Sequence, residues 1–287
     1  MHCKERYACE CDNLYRIGEV SRIGGISQRT LRHYDELGLM EPDVVGDNGY
    51  RFYSLRTMLK IPVINYLKMM GFSLEEIASM LQHSSLEEAK SLLSKHLTEC
   101  DVEARRLDER RQAIVEWSEL VNEANMILRV RPTAVSVRYL PSRELLCLPS
   151  RFCGSFAEAI VSLDFASYVQ RVGNAICGPV ILGFDGVEDA MLAASEGREC
   201  DVQLLQKPVR PISPENGQIL PEGIYLSTYH VGMFEHMAVA YQRVIDFAEQ
   251  NGYKVVGSAM ERFVLDYWTT YNPDLFVTEI LVQAETE

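Results

Sequence analysis

The sequence lacks the marks of a membrane or secreted protein. Its apolar runs are only a few residues long, so no stretch could cross a bilayer. Residues 1–13 carry charges and three cysteines but no apolar core, which excludes a secretory signal. Eight cysteines in 287 residues are too sparse for a disulfide framework. We therefore expect a cytoplasmic protein with reduced thiols and no membrane partner.

The chain also has little that would hold a metal. Cys3, Cys9 and Cys11 form a loose C-x5-C-x-C, but no fourth ligand follows at zinc-finger spacing. We expect neither a metal nor another cofactor, with a metal site in this tail as the alternative.

Positive charge is scarce and unevenly distributed. The net charge is −13, yet residues 14–72 carry +2 while residues 135–287 carry −10. Charge asymmetry between segments suggests different partners for the two halves, although +2 alone is a weak signal.

The N-terminal segment is predicted to form a helix-turn-helix followed by a small hairpin. Apolar residues at helical spacing occur on both sides of Gly24-Gly25, and Ser27 is a suitable N-cap for the second helix. Asn48-Gly49 between β-forming residues predicts a hairpin turn, typical of a wing. A helix over 55–70 and another opened by a Ser73/Glu76 capping box follow.

These elements gather residue types that bind nucleic acid. Arg and Gln can pair with base edges, whereas Ser, Tyr, Arg and Lys reach phosphates. The candidates on the second helix, the wing and the following helix are Ser27, Gln28, Arg29, Arg32, His33, Tyr34, Tyr50, Arg51, Tyr53, Arg56 and Lys60. The alternative is a solvated basic face on a small helical domain.

Residues 86–127 contain no Gly or Pro and predict one long helix. A seven-residue row predicts a coiled-coil seam; it comprises Leu86, Leu93, Cys100, Leu107, Ile114 and Val121. The companion row is mixed, so we expect a short or antiparallel pairing. The alternative is a helix packed only on its own chain.

Beyond residue 132 the pattern changes to strands interleaved with helices. We expect a strand pair at 135–140 and 145–152, then a helix at 156–172 and strands at 180–184 and 202–206. A second round follows, with strand 224–230, helix 233–250 and strands 260–267 and 276–283. Gly173-x4-Gly178 and Gly252-x4-Gly257 recur between helix and strand. They suggest a duplicated β-α-β-β unit forming one sheet with a cleft on its pseudo-twofold axis.

Six segments resemble the signature of MerR-type transcriptional regulators over about residues 14–82. They are Tyr15-Arg-Ile-Gly-Glu-Val20, Ser27-x-x-Thr-Leu-Arg32-His-Tyr-Asp35, Gly38-Leu-x-x-Pro42, Asn48-Gly-Tyr-Arg-x-Tyr53, Met70-Gly-Phe and Ser73-Leu-Glu-Glu-Ile77. The second half is similar to a GyrI-like effector-binding domain, as in multidrug-sensing members of the family.

The resemblance implies an α+β protein of two domains, with a winged helix-turn-helix and a dimerisation helix before a duplicated β-α-β-β effector domain. The expected segments are a disordered tail (1–13), a DNA-binding domain (14–84), a dimerisation helix (85–128), a linker (129–134) and an effector-binding domain (135–287). A homodimer would bind double-stranded promoter DNA and distort its spacer for RNA polymerase when a small organic effector binds. Arg16, within the first motif, joins the DNA-binding set.

Three departures from the family pattern affect the expected contacts. His33 stands where relatives often have Tyr, and Val44-Val45 where many carry Arg. Pro62 should kink the helix after the wing or shift its start.

The Cys-free end of the long helix and the large second domain favour an organic effector over a metal.

Glu261 is the candidate ligand-binding carboxylate. Alternation on its strand places Glu261, Phe263 and Leu265 on one face, and the GyrI-like pattern also puts a Glu and the aromatic two residues later in the pocket. A cationic aromatic ligand would pair with this carboxylate; an ion pair with an Arg is the alternative. The expected pocket walls are Tyr229, Phe234, Met237, Tyr241, Tyr267 and Phe276.

We expect a transcription regulator that acts as an activator, and no enzyme. Two alternatives stay open: a GyrI-like small-molecule hydrolase that uses Glu261 as a base, and a protein that sequesters drugs. Neither a nucleophile–base–orienter set nor metal-ligand spacing is visible for the hydrolase.

Overall fold

The computed structural model describes residues 14–82 and 85–286. The three tail cysteines and the expected disordered tail lie outside these residues. The chain forms two compact units, residues 1–105 and residues 106–287. Within the described residues, no helix is both long and apolar enough to span a membrane.

The first unit is mostly helical with a small antiparallel sheet in the order β1-β3-β2. Its elements are β1 (Tyr15–Arg16), α1 (Ile17–Gly24), α2 (Gln28–Glu36), β2 (Val44–Val45), β3 (Arg51–Tyr53), α3 (Leu55–Met58), α4 (Lys60–Met69) and α5 (Leu74–Gln82). Their apolar faces enclose one core, which includes Val20, Leu31, Leu39, Ile64 and Ile77.

The local signals in this unit are confirmed. The Ser27 hydroxyl accepts a hydrogen bond from the Thr30 N–H at 3.0 Å and so caps α2. Ser73 and Glu76 form the predicted reciprocal capping box of α5, with distances of 2.9 and 3.2 Å. Gly49 has a φ of +78°, which explains the glycine in the turn between β2 and β3. Strand β1, which joins the hairpin, was not predicted.

The helix predicted over 55–70 is divided into α3 and α4, which meet at Leu59. Pro62 lies in the first turn of α4, where its missing N–H would have no intrahelical partner anyway. The proline therefore shifts the start of a helix instead of kinking its interior.

Helix α6 (Leu86–Val130) is continuous, as predicted. The boundary between the two units falls within it, after Arg105. Its seven-residue apolar row is largely solvent-accessible in the single chain, since Leu93, Leu107 and Ile114 are all exposed.

The second unit is built on an eight-stranded antiparallel sheet in the order β4-β9-β11-β10-β6-β7-β5-β8. The strands are β4 (Ser136–Leu140), β5 (Arg143–Phe152), β6 (Ile181–Phe184), β7 (Cys200–Gln206), β8 (Gly217–Leu220), β9 (Gly223–Val231), β10 (Tyr253–Leu265) and β11 (Val277–Thr286). The helices are α7 (Phe156–Ile160), α8 (Leu163–Arg171), α9 (Val187–Glu196) and α10 (Ala238–Asn251).

The duplicated β-α-β-β unit is present. In each half the third strand pairs with both others, giving β6-β7-β5 in one and β10-β11-β9 in the other. Strands β6 and β10 pair across the pseudo-twofold axis. The repeated glycines, Gly173, Gly178, Gly252 and Gly257, all have φ between +71° and +75°, a left-handed backbone that glycine tolerates best.

The predicted pairing of the first two strands is wrong. Strand β4 pairs with β9, and β5 pairs with β7 and β8. Only Pro141 and Ser142 separate β4 from β5, although five strands lie between them in the sheet order. The sheet must therefore curl so that its two ends approach. The expected helix over 156–172 is two helices, and α9 and β8 were not predicted.

Side chains on β10 alternate between two apolar clusters. Ala259 and Phe263 belong to the main core, which also contains residues from helices α7 to α10. Val264 belongs to a second cluster with Ala124 of α6. Glu261 and Arg262 consequently point to opposite faces of the sheet.

Candidate nucleic-acid interface and buried carboxylate

Helix α2 presents a polar face to solvent. Leu31 and Tyr34 face the core, which leaves Gln28, Arg29, Arg32 and His33 exposed on the opposite side. Ser27 is exposed as well, with its hydroxyl committed to the helix cap. Two turns of helix therefore carry two guanidinium groups, an amide and an imidazole that can all reach an external polyanion.

The wing and the elements near it add further polar and cationic side chains. Tyr50 is exposed at the tip of the hairpin, and Arg16, Arg56 and Lys60 are also exposed. The Nε of Arg51 donates to the Asp35 carboxylate at the end of α2 over 2.7 Å. This bond holds one edge of the guanidinium, so that its orientation relative to α2 is defined.

Tyr34 and Tyr53 are corrections to the predicted interface. Tyr34 is 1% exposed and Tyr53 is 0% exposed, so neither side chain is available to a phosphate. Tyr34 lies three residues after Leu31 on the buried stripe of α2, a spacing that could have identified it as core. Tyr53 follows the alternation of β3 into the same core.

Asp35 is the residue of this region that the sequence did not reveal. It is an acidic residue beside a predicted anion-binding surface, and only the fold brings it to Arg51, 16 positions later. The pKa of Arg51 is raised, chiefly by the hydrogen bond to Asp35.

Glu261 lies in the interior of the second unit and is 0% exposed. Its Oε1 accepts a hydrogen bond from the Tyr241 hydroxyl at 2.9 Å, while Oε2 has no partner. Burial raises the pKa of this carboxyl to about 8, although the bond from Tyr241 acts in the opposite direction. The side chain is therefore mainly uncharged at neutral pH.

Five of the other predicted pocket residues surround this region. Phe234 stacks on Phe276 with ring centroids 4.6 Å apart and meets Phe263 edge-on at 5.3 Å. Tyr267 contacts Phe276 at 4.8 Å. Met237 belongs to the same core and is completely buried. The structure thus brings most of the predicted ligand set into one aromatic cluster.

Tyr229 does not join that cluster. It pairs in register with Glu279, and its hydroxyl donates to Glu123 of α6 at 2.7 Å. Because Glu279 is also opposite Arg262, Tyr229 faces the same side of the sheet as Arg262. Its placement in the predicted wall was an error of strand register. Leu265 also leaves the predicted face, because a bulge interrupts the alternation after Phe263.

The expected hollow beside Glu261 is not open to solvent. Phe234, Tyr241, Phe263 and Phe276 are each at most 2% exposed and cover this region. Any molecule that reaches this carboxyl must first displace some of them.

A charged network lies on the opposite face of the sheet. Glu279 is almost fully buried and accepts from the Nε of Arg262 at 2.6 Å and the Ser227 hydroxyl at 2.8 Å. Arg138 also donates to Glu279, and Arg262 donates to Glu123. The alternative for Glu261 was an ion pair with an arginine. The structure instead pairs the adjacent residue, Arg262, with Glu279 and Glu123.

The network borders a groove of about 750 Å³ between α6 and the sheet. The residues that line it are Glu116, Glu119, Leu120, Glu123, Arg143, Glu144, Leu145, Pro179, Ile181, Lys207, Pro208 and Arg262. In the part of the chain that the structure describes, no group of three or more His, Cys, Asp or Glu side chains could hold a metal ion.

Comparison with known proteins places the first unit among described regulators. The family model "MerR HTH family regulatory protein" matches residues 15–84. The HTH-type transcriptional regulator ZntR of Escherichia coli (strain K12) is 32% identical over 98 residues, which cover 32% of this chain and 68% of the relative.

Similarity also extends over nearly the whole chain. The multidrug-efflux transporter 2 regulator of Bacillus subtilis (strain 168) is 25% identical over 282 residues, covering 94% of this chain and 96% of the relative. A cryo-EM structure of an EcmrR–DNA complex is 20% identical, covers 95% of this chain and 100% of that chain, and has a TM-score of 0.44.

Proposed function

Because this chain belongs to the MerR family of helix-turn-helix regulatory proteins, we propose that it is a ligand-responsive transcription regulator that binds promoter DNA. The observation that carries the proposal is the exposed face of α2, with Arg29 and Arg32, beside the wing residue Arg51. A helix of this kind enters the major groove, where its side chains reach base edges.

The remaining exposed side chains contact the DNA backbone in this arrangement. Arg16, Tyr50, Arg56 and Lys60 are exposed around α2 and can contact phosphates, which position a protein on DNA without reading sequence. His33, also exposed, offers a ring nitrogen in place of the phenol that relatives often carry. Affinity should therefore fall steeply as salt rises.

The regulator acts as a homodimer joined through α6. Its apolar row leaves large side chains such as Leu93, Leu107 and Ile114 in water in the single chain, and a second copy would bury them. Two copies of α2 would then meet two half-sites of a pseudo-palindromic promoter.

The effector is a small organic molecule bound by the second unit. A relative that matches almost the full length regulates a multidrug-efflux transporter, which favours a drug-like ligand. The buried carboxyl of Glu261 suits a cation, because a positive charge would replace its proton and pair with the carboxylate. The aromatic cluster would supply cation–π contacts once it opens.

Effector binding changes the shape of the promoter DNA so that RNA polymerase can use it. Bending and untwisting a site of this length costs roughly 1–6 kcal/mol. Couplings between two ligand sites are typically about 1–3 kcal/mol. A ligand can therefore shift this equilibrium only if the free energies of the two DNA shapes are already close. Such a regulator works in the cytoplasm, where the promoter is.

Binding, and not catalysis, is the role of the second unit. Glu261 is enclosed by rings and one hydroxyl, that of Tyr241, which donates to it and is not activated as a nucleophile. Recovery of candidate effectors unchanged after incubation with the protein is the expected result. A hydrolysed product would support the hydrolase alternative.

The test of the proposed function is binding to the DNA upstream of the protein's own gene. We expect fluorescence anisotropy to show tighter binding to this duplex than to a scrambled one. Replacing Arg29 or Arg32 by Ala should weaken binding at least tenfold, whereas Lys90→Ala, an exposed cation on α6, should change it little. Equal affinity for both duplexes would contradict the proposal.

A further inference from the structure

The two tryptophans of this chain, Trp117 and Trp268, line one slot in the second unit. Trp117 projects from α6 and Trp268 follows β10, with ring centroids 6.3 Å apart in an edge-to-face arrangement. The lining also includes Leu120, Pro179 and Phe263. The two indoles therefore pack against each other in this structure, and their faces carry partial negative charge that would attract a cation if the rings moved apart.

A buried carboxylate forms part of the same wall. Asp266 is only 5% exposed, and its Oδ1 accepts a hydrogen bond from the backbone N–H of Trp268 at 2.8 Å. Burial raises the pKa of Asp266 to about 6, so the group is still mainly ionised at neutral pH. Among the described residues that line the slot, none is Lys, Arg or His. A carboxylate in these surroundings is costly unless a cation pairs with it.

The β-bulge near the end of β10 shapes the slot. The register shifts between Phe263 and Leu265, so that Phe263 and its neighbour Val264 both line the wall. Phe263 also contacts the ring of Phe234 in the aromatic cluster around Glu261. Phe263 is therefore shared by the wall of the slot and the closed cluster.

We infer that the slot is the entry site for an organic cation, which binds with its charged head between Trp117, Trp268 and the Asp266 carboxylate. A hydrated Na⁺ or Mg²⁺ would require several oxygen ligands, whereas the slot offers one carboxylate among apolar walls. A quaternary ammonium or another cation with an apolar surface matches both the rings and the charge. The inference rests on the proposed function, because it takes the effector to be such a cation.

Entry requires movement of one side chain. The free space in the slot is about 20 Å³, roughly one water molecule. Trp268 is 43% exposed and is held by a 3.2 Å hydrogen bond from its Nε1 to the carbonyl of Ile160. Rotation of this indole would widen the slot. Leu120 and Pro179 line both the slot and the 750 Å³ groove, so the remainder of a longer cation would lie along α6.

Intrinsic tryptophan fluorescence tests the inference directly, because both tryptophans line the slot. The probes are benzyltrimethylammonium and uncharged benzyl alcohol, titrated into the full-length protein without DNA. We expect a saturable change with the cation and at least tenfold weaker binding of the alcohol. Absence of a saturable change, or equal binding of both probes, would overturn the inference.

Two variants test the roles of the Asp266 carboxylate and the Trp268 indole in cation binding. Asp266→Asn keeps an oxygen for the Trp268 N–H but removes the charge, and should weaken cation binding at least tenfold. The exposed Asp201→Asn is the control and should bind as wild type. Trp268→Leu should also weaken cation binding, with Trp117 as the remaining fluorescence reporter. Because Trp268 is partly exposed, this variant provides a second test if Asp266→Asn does not fold. Wild-type affinity in both folded slot variants would overturn the inference.

The outcome can be separated from that of the proposed function. Cation binding at the slot with no preference for the upstream DNA would leave the entry site standing and reject the regulator. Specific DNA binding that a cation modulates without any change in tryptophan fluorescence would reject the entry site alone.

Discussion

The Arg51 guanidinium in the wing and the Asp35 carboxylate of the preceding helix are joined by a 2.7 Å hydrogen bond. Both side chains are partly buried, so the pair is less exposed to solvent than an ordinary surface ion pair. The bond leaves other N–H groups of Arg51 free to meet a phosphate. An acidic residue thus orients a cation that would contact DNA.

Asp35→Asn is expected to weaken DNA binding about threefold, a loss of roughly 0.7 kcal/mol that is typical of a partly exposed pair. The direction is informative, because removing a negative charge near DNA should otherwise strengthen binding. Anisotropy titrations with the upstream duplex measure the effect.

Glu36→Gln is the matched control, since it removes one negative charge at the adjacent position. The exposed Glu36 carboxylate lies 3.6 Å from the His33 ring and is not the hydrogen-bond acceptor of Arg51. It should leave affinity unchanged or raise it slightly. If Asp35→Asn binds as tightly as Glu36→Gln, Asp35 does not position Arg51.

Glu261 should make the stability of the second unit depend on pH. Its pKa in the folded chain is about 8, against an ordinary value of 4.5, so the folded state binds the proton more tightly. The unfolded state ionises first as pH rises. The contribution of Glu261 to the free energy of unfolding is therefore complete below about pH 4.5. It is lost progressively as pH rises through about 8.

Glu261→Gln should flatten this dependence, because its side chain stays neutral throughout. Thermal unfolding curves between pH 5 and about 9 measure it, and the melting temperature of wild type should fall more over that interval than that of the variant. Parallel curves for the two proteins would show that Glu261 is not the titrating group.

Arg262 should be far more important to stability than an ordinary surface arginine. Arg262→Leu leaves the buried carboxylate of Glu279 without one of its two cationic partners and Glu123 without its arginine. We expect the free energy of unfolding to fall by about 3 kcal/mol. Denaturant unfolding followed by tryptophan fluorescence measures it, because both tryptophans lie in the second unit.

Two further variants identify the cause. Arg151→Leu breaks an exposed pair with Glu199 and should cost less than about 1 kcal/mol. Adding Glu279→Leu to Arg262→Leu should recover part of the loss, because the buried charge is then gone. No recovery would indicate that packing, and not the unpaired charge, explains the effect.

Much of this fold was predictable because its signals are local. Ser27, the Ser73/Glu76 pair and Asn48-Gly49 determine helix starts and a turn by hydrogen bonds within a few residues, and the family resemblance is confirmed. Helix α9 also had a local signal in its alanine-rich sequence before Gly197, and it was overlooked.

The errors arose where distant parts of the chain meet. Alternation divides a strand into two faces, but only the sheet register shows that Tyr229 shares a face with Arg262 and not with Glu261. The Asp35–Arg51 bond and the burial of Tyr53 likewise depend on how the wing packs on α2. Most of the aromatic cluster was predicted correctly, because large apolar side chains are expected in a core whichever strands pair with one another.

The two halves of the duplicated sheet differ in the connection between their last two strands. Between β6 and β7 the chain forms α9, whereas the equivalent segment between β10 and β11 carries Asp266, Tyr267 and Trp268. The strands on either side of each connection pair with one another, β6 with β7 and β10 with β11. Exchange of this single segment would therefore alter the wall of the slot while leaving the pairing of β10 with β11 in place.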